Sequence, residues 1–310
     1  AQPRVPTHTT MTTNTSPTLG VIGLGSMGMG AARSALRQGV PTWGFDPRPE
    51  ALTALRETGG QTAGNVAELA AHCDVVLVLV VNAAQTEDVR FGADGLAQHL
   101  KPGSVVIASA TVDPALPPVW ERKLAERGLW LIDGPVSGGA KKAADGQMTV
   151  MASGKPEAFA AAGALLHSFA GKVYQLGDHA GVGSTVKMVN QHLAGVHIAA
   201  ACEAMALGIK AGADPHQLYE VITHAAGNSW MFENRVPHIL AGDYTPLSSV
   251  NIFVKDLGIV LDAAQQLKFP LPLAAAAHQL YLSTAAMGLG GEDDSAVVKY
   301  FAALAGLTLP

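Results

Sequence analysis

Short apolar runs alternate along the first half of the chain with longer segments in which apolar positions recur every three or four residues. Strand-length β-branched runs between helix-length amphipathic stretches are the pattern of a parallel sheet with helices on both faces. The runs predict strands over 19–23, 41–46, 74–81, 104–108, 129–133, 149–152 and 172–175. A helix fits 26–38, and another follows Asp113 with Pro114 in its first turn. Beyond Gly177 the strand-like runs end. Over 183–210 Val186, Val189, Leu193, Val196, Ala200 and Leu207 fall at helical spacing. A helix of that length runs roughly 40 Å, enough to join two domains. Further helices are expected over 215–224, 254–267 and 273–287, with a last one from Ser295.

The pattern divides the chain into an α/β domain over 18–179 and a second, all-helical domain over 180–310 that opens with the long interdomain helix. The first 17 residues, rich in Thr and Pro, are expected to be a flexible tail. A length of 310 residues leaves room for two domains, and 48% hydrophobic against 15% charged residues implies a compact core. Net charge is −5, with no long basic run to meet a phosphate backbone, so no nucleic acid partner is expected. The longest apolar run, over 75–81, falls far short of the roughly 20 residues that span a bilayer, so no membrane is expected either. Cys73 and Cys202 lie far apart and read as buried thiols in a reducing, cytoplasmic setting. The 11 histidines form no zinc-binding helix pattern, and no metal is expected.

The first strand runs into Gly23-Leu24-Gly25-Ser26-Met27-Gly28 and then a helix. Gly23 allows the tight turn, Gly25 lets backbone approach a pyrophosphate, and Gly28 lets helix pack on strand. The N–H groups of the helix start add partial positive charge for phosphates. The next strand ends at Asp46, whose carboxylate can accept from both adenosine ribose hydroxyls and repels a 2′-phosphate. The fold implied is a Rossmann-type doubly wound parallel sheet, and the cofactor expected is NAD over NADP, although Arg48 could bind a phosphate.

Cofactor chemistry needs a proton acceptor and a substrate clamp. Lys187, Asn190 and Gln191 share one face of the long helix, and Gly183, one turn earlier, leaves space beside the amine. Ser137, Gly138 and Gly139 follow the strand over 129–133, where ligands bind at the carboxyl ends of an open sheet. The Ser137 hydroxyl and the two glycine N–H groups suit a carboxylate. Trp230, Met231 and Phe232 read as a loop that caps the pocket or packs against core or subunit. Asp293, Asp294 and Ser295 read as the N-cap of the last helix.

Together the glycine turn, the Gly134-Pro135-Val136-Ser137-Gly138-Gly139 loop, the Gly181-x-Gly-x-x-x-Lys187-x-x-Asn190 helix and Lys255-Asp256-Leu257 resemble the β-hydroxyacid dehydrogenases, in the family's order and over nearly the whole chain from Leu19. This family is related to 6-phosphogluconate dehydrogenase. The resemblance implies that Lys187 is the catalytic lysine and that Ser137, Gly138 and Gly139 hold the substrate carboxylate, with Asn190 and Gln191 beside them. It also implies that Thr111 and Lys255 contact cofactor or substrate, and that the chain forms a homodimer or homotetramer. Gln191 stands where many members have Asn. With the following His-Leu-Ala-Gly-Val-His run and Ile252-Phe253-Val254, it is most similar to the L-threonate dehydrogenase branch. The expected reaction is hydride transfer between NAD and a small hydroxy acid. Tartronate semialdehyde and 3-hydroxyisobutyrate are the alternative substrates, and a non-catalytic nucleotide-sensing module is the non-enzyme alternative. Imine-reducing relatives generally lack the lysine that this chain has.

Overall fold

The computed structural model describes residues 16–310, so the expected tail lies outside the described residues up to position 15. β1 (Leu19–Ile22), β2 (Thr42–Phe45), β3 (Gln61–Thr62), β4 (Val75–Val78), β5 (Val105–Ala108) and β6 (Trp130–Asp133) form one sheet. Its order is β3-β2-β1-β4-β5-β6 and every pair is parallel. α1 (Ser26–Arg37), α2 (Pro49–Glu57), α3 (Val66–His72), α4 (Ala83–Phe91), α5 (Leu96–His99) and α6 (Leu116–Ala125) make the crossovers. Successive strand residues serve opposite faces: Val21, Leu77 and Ile107 enter one apolar cluster, whereas Ile22, Val76 and Val106 enter another. Strand order reverses between β1 and β4, the place where an open α/β sheet binds ligands in the crevice at its strands' carboxyl ends.

Two expected strands lie elsewhere. β8 (Met148–Ala152) and β9 (Ala170–Gln175) join β7 (Val136–Ser137) in a separate three-stranded sheet, antiparallel between β7 and β8. Most side chains of β9 are exposed, which a strand buried on both faces of a parallel sheet cannot tolerate. The pattern also missed β3, a polar pair too short to carry periodicity. α7 (Gly139–Ala144), α8 (Pro156–Ala162) and α9 (Ala164–His167) complete this half. Pro114 precedes α6; Pro117 occupies its first turn instead. The Asp113 carboxylate accepts from the Ala115 N–H at 2.9 Å and holds the turn short of the helix.

The second half is helical: α10 (Val182–Lys210), α11 (Pro215–Thr223), α12 (Trp230–Ala241), α13 (Val250–Gln266), α14 (Pro272–Thr284) and α15 (Val297–Ala305). By length and composition α10 could cross a bilayer, but here it packs against α12, α13, α14 and α15. Ile198 and Cys202 meet Ile239, Phe253, Leu257 and Val297 in that core. The expected loop at Trp230 is the start of α12, because the Ser229 hydroxyl accepts from the Phe232 N–H at 3.0 Å and caps a helix. α13 begins at Val250, four residues earlier than expected, which places Lys255 in its second turn and not at its start. The expected cap of the last helix instead caps a short 3-10 turn (Asp294–Ala296) before α15, with Asp293 accepting from the Ser295 N–H at 3.1 Å; Asp293 and Asp294 are both fully buried, and Asp294 pairs with Arg235 Nε at 2.7 Å. Cys73 and Cys202 are buried and free, and burial pushes the Cys73 thiol up to about 12.

One carboxylate fastens the halves together. Asp133 ends β6 and is 1% exposed. Its Oδ2 accepts from the backbone N–H groups of Gly181 (2.9 Å) and Ser184 (2.8 Å), and its Oδ1 from the Ser184 hydroxyl (2.6 Å). Next to it the Ser153 hydroxyl accepts from the Gly183 N–H at 2.9 Å. Burial raises the Asp133 carboxyl despite these bonds, and the charge of Arg90 works against that rise. Arg90 is itself buried, with its guanidinium 3.6 Å from the Trp120 ring centre, and burial pushes it down to about 9. In Asp133→Asn an amide faces donors that need a carboxylate, so urea unfolding should show a loss of about 3 kcal/mol. An unchanged midpoint and slope would mean that this cap does not hold α10.

Candidate active site

The glycine turn and Asp46 meet at the crevice. Gly23 has φ +91, and a Cβ there would lie 2.3 Å from the Leu79 carbonyl oxygen; at Gly28 a Cβ would lie 1.8 Å from the oxygen of Gly23. At Gly25, by contrast, a Cβ would meet nothing within 4 Å. Packing within the chain therefore does not demand Gly25, and the open space beside it suits a pyrophosphate. No side chain caps α1, whose N-terminus faces that space with its first N–H groups, those of Ser26 and Met27 among them. Leu24 donates its N–H to Asp46 Oδ2 at 2.8 Å. Burial alone would raise the Asp46 carboxyl, but hydrogen bonds from Arg48 and Leu24 hold it below the ordinary carboxylate value. These residues fit a dinucleotide.

In the second half α10 carries Lys187. Its side chain is buried, and burial pushes the amine down to about 8. Among the charges that reach it, Asp256 opposes this shift and Lys255 reinforces it. Asn190 Nδ2 donates to Gln191 Oε1 at 3.0 Å, and Gln191 Nε2 donates to Asp256 Oδ2 at 2.6 Å. Lys255 Nζ lies 3.0 Å from Asp256 Oδ1 as an ion contact outside hydrogen-bond geometry. It donates instead to the Val81 carbonyl at 2.8 Å, reaching from α13 to the loop after β4. Gly183 does not leave room beside the amine: a Cβ there would lie 2.3 Å from the Met151 oxygen and 2.6 Å from the Asp133 oxygen, so its smallness lets α10 approach the first half.

The expected carboxylate clamp sits on the small sheet. Ser137 and Gly138 are half-buried and Gly139 is exposed, with φ of +129 at Gly138 and +67 at Gly139. Among the described residues no hydrogen bond joins this loop to the lysine cluster. The link is indirect: β7 pairs with β8, beyond which Ser153 binds the first turn of α10. Thr111 is half-buried in the loop after β5, and the Ser109 hydroxyl ties that loop to the Gly134 carbonyl at 2.7 Å. Sequence reasoning gave no role to Asp133 or Asp256. Asp133 was legible as an acidic residue at a strand's carboxyl end, whereas the Gln191 to Asp256 contact spans 65 positions and leaves no local signal.

Residues 18–177 match the family described as the NAD binding domain of 6-phosphogluconate dehydrogenase. Residues 181–301 match that described as the NAD-binding of NADP-dependent 3-hydroxyisobutyrate dehydrogenase. L-threonate dehydrogenase of Cupriavidus necator is 60% identical over 295 residues, covering 95% of this chain and 98% of that protein. The enzyme of the same name from Escherichia coli K12 is 54% identical, covering 94% and 96%. The crystal structure of 3-hydroxyisobutyrate dehydrogenase from Salmonella typhimurium superposes with a TM-score of 0.87 at 52% identity, covering 92% of this chain and 99% of that one. The chain thus belongs to the β-hydroxyacid dehydrogenase family and is an NAD(P)-dependent oxidoreductase of hydroxy acids.

Proposed function

We propose that this protein is an L-threonate dehydrogenase that uses NAD in preference to NADP, with Lys187 as its catalytic base. The observation that carries the reading is a buried lysine on α10, its amine pushed down to about 8, in a charged cluster with Asp256 and with Lys255, which grips the loop after β4 beside the dinucleotide domain's strand ends. Proteins named L-threonate dehydrogenase share 51–60% of its residues, which supports the substrate. The nicotinamide, when bound, accepts the hydride. Neutral Lys187 takes the hydroxyl proton, and as an ammonium it returns that proton in reduction. Ser137, Gly138 and Gly139 hold the carboxylate. Both ends of the Gln191 amide already have a partner, so Gln191 positions Asp256 and leaves Asn190 to meet the substrate's hydroxyls. Thr111 and Lys255 border the bound cofactor, at the ends of β5 and on α13. The action is cytoplasmic.

A second copy of the chain completes this reading. Val189, Leu193 and Leu207 on α10, Leu267 and Phe269 between α13 and α14, and Leu273 on α14 are each more than half exposed. That much apolar surface on one domain suits burial in a homodimer or homotetramer. Sedimentation velocity at micromolar concentration should give twice or four times 31.9 kDa, and a monomer would remove the proposal.

NADH formation from NAD should be fastest with L-threonate in a panel that includes D-glycerate, 3-hydroxyisobutyrate and 6-phosphogluconate. Lys187→Ala should lower kcat by about 10²-fold or more. Activity within tenfold of the parent would end the lysine mechanism, and turnover of another acid alone would end the substrate assignment. Only the neutral amine is a base, so kcat/KM for oxidation should rise tenfold per pH unit below about 8 and level off above it.

The same shift has a stability sign. Folded Lys187 binds its proton less well than the unfolded chain does, so it lowers stability fully below pH 8 and ceases to do so as pH approaches 10.5. Lys187→Met should therefore stabilise the fold at pH 7 by up to about 3 kcal/mol, a gain that shrinks in alkaline melts. A gain independent of pH would assign the effect to packing alone.

A further inference from the structure

Asp46 is saturated before any dinucleotide arrives. Its Oδ1 accepts from the Arg48 N–H at 3.0 Å and Arg48 Nε at 2.8 Å, and its Oδ2 from the Leu24 N–H at 2.8 Å and Arg48 Nη2 at 3.0 Å. A carboxylate offers about four lone-pair positions, so none is left for a ribose diol. The four donors are not equivalent. Two belong to backbone that the turn and α2 fix in place, whereas two belong to a guanidinium whose side chain is 54% exposed over a carboxylate that is 6% exposed. The pair is local, since Arg48 lies two residues after Asp46, and the guanidinium can leave without disturbing the sheet.

We propose that the Arg48 guanidinium is a displaceable plug on the adenosine subsite and decides how the chain ranks its two dinucleotides. This rests on the dinucleotide reading of the crevice. A 2′,3′-diol must remove the guanidinium to reach both Asp46 oxygens, so NAD binds at the cost of the ion pair. A 2′-phosphate cannot accept Asp46 as a neighbour unless a cation stands between them, and Arg48 supplies that cation without leaving. Arg48 thus weakens NAD and strengthens NADP, which narrows a gap that Asp46 alone would make wide. Arginine suits this role because its planar fork matches carboxylate and phosphate equally.

The test is equilibrium binding by calorimetry at fixed ionic strength, with NAD, NADP, ADP-ribose and 2′-phospho-ADP-ribose as ligands and Arg48→Ala and Arg48→Gln as variants. A half-exposed ion pair is weak, so both variants should bind NAD and ADP-ribose about two- to fivefold more tightly. Loss of the phosphate's cation should weaken the two phosphorylated ligands about tenfold or more. A second series at raised salt should narrow the difference in NAD affinity between the parent and the variants. Weaker binding of all four ligands in the variants, or no change in any, would overturn the plug. Parent protein that binds no dinucleotide would overturn the cofactor site and the plug with it. An absence of turnover on L-threonate with these binding shifts intact would count against the proposed substrate alone.

Discussion

A buried carboxylate at the end of a strand holds this molecule in its working shape. Asp133 closes β6 and simultaneously caps α10, so the sheet that frames the cofactor crevice and the helix that carries Lys187 share one set of hydrogen bonds. The geometry is favourable twice over, because an N-terminal cap satisfies N–H groups that a helix leaves unpaired and places negative charge at the positive end of the helix dipole. Gly183 allows the approach, and Ser153 adds a second anchor from the small sheet. Lys187 lies one turn beyond Gly183, so its distance from the sheet follows from the cap and not from any contact of its own.

The amine's environment is a balance between removal from water and opposed neighbours. Burial disfavours the ammonium, Lys255 disfavours it further, and Asp256 favours it. Asp256 in turn is held by Gln191 from α10 and faced by Lys255 from its own helix. Lys255 also grips the Val81 carbonyl of the first half. Charge at the lysine therefore depends on the contact between the two halves.

Much of this was legible in one sequence, and the parts that were not share a physical cause. β1, β4 and β5 announce themselves as unbroken apolar runs because helices cover both faces, and the glycine turn follows from backbone sterics at Gly23 and Gly28. Lys187 and Gln191 sit on one helix face by spacing alone. β8 and β9 were recognised as strands but not as a separate sheet, since partner choice depends on exposure and not on period. Trp230 looked like a loop residue because it follows Gly227-Asn228-Ser229 and a proline, Pro237, stands within the segment, although Phe232, Val236 and Ile239 form the buried face of α12. Asp256 was read only as part of a motif and Arg235 not at all, because their partners stand 65 and 59 positions away.

The buried charges also explain why the helical half is so apolar. Burying an amine such as Lys187 works against folding, and so does each ionic group removed from water beside it, Asp256, Arg235 and Asp294 among them. Isolated, such groups would neutralise or open the structure to solvent. Here they are spaced through a core in which Ile198, Phe253, Leu257, Tyr281 and Val297 are nearly inaccessible, and where Arg235 and Asp294 satisfy each other. The paired ions join α12 to the turn before α15. Among the described residues of this half, Lys187 is a buried cation with no direct ion-pair partner, since the nearby Asp256 carboxylate is taken by Gln191 and Lys255. A looser core would let water or Asp256 reach the amine and restore its ordinary basicity, and the neutral form that accepts a proton, already a minority at pH 7, would become far rarer.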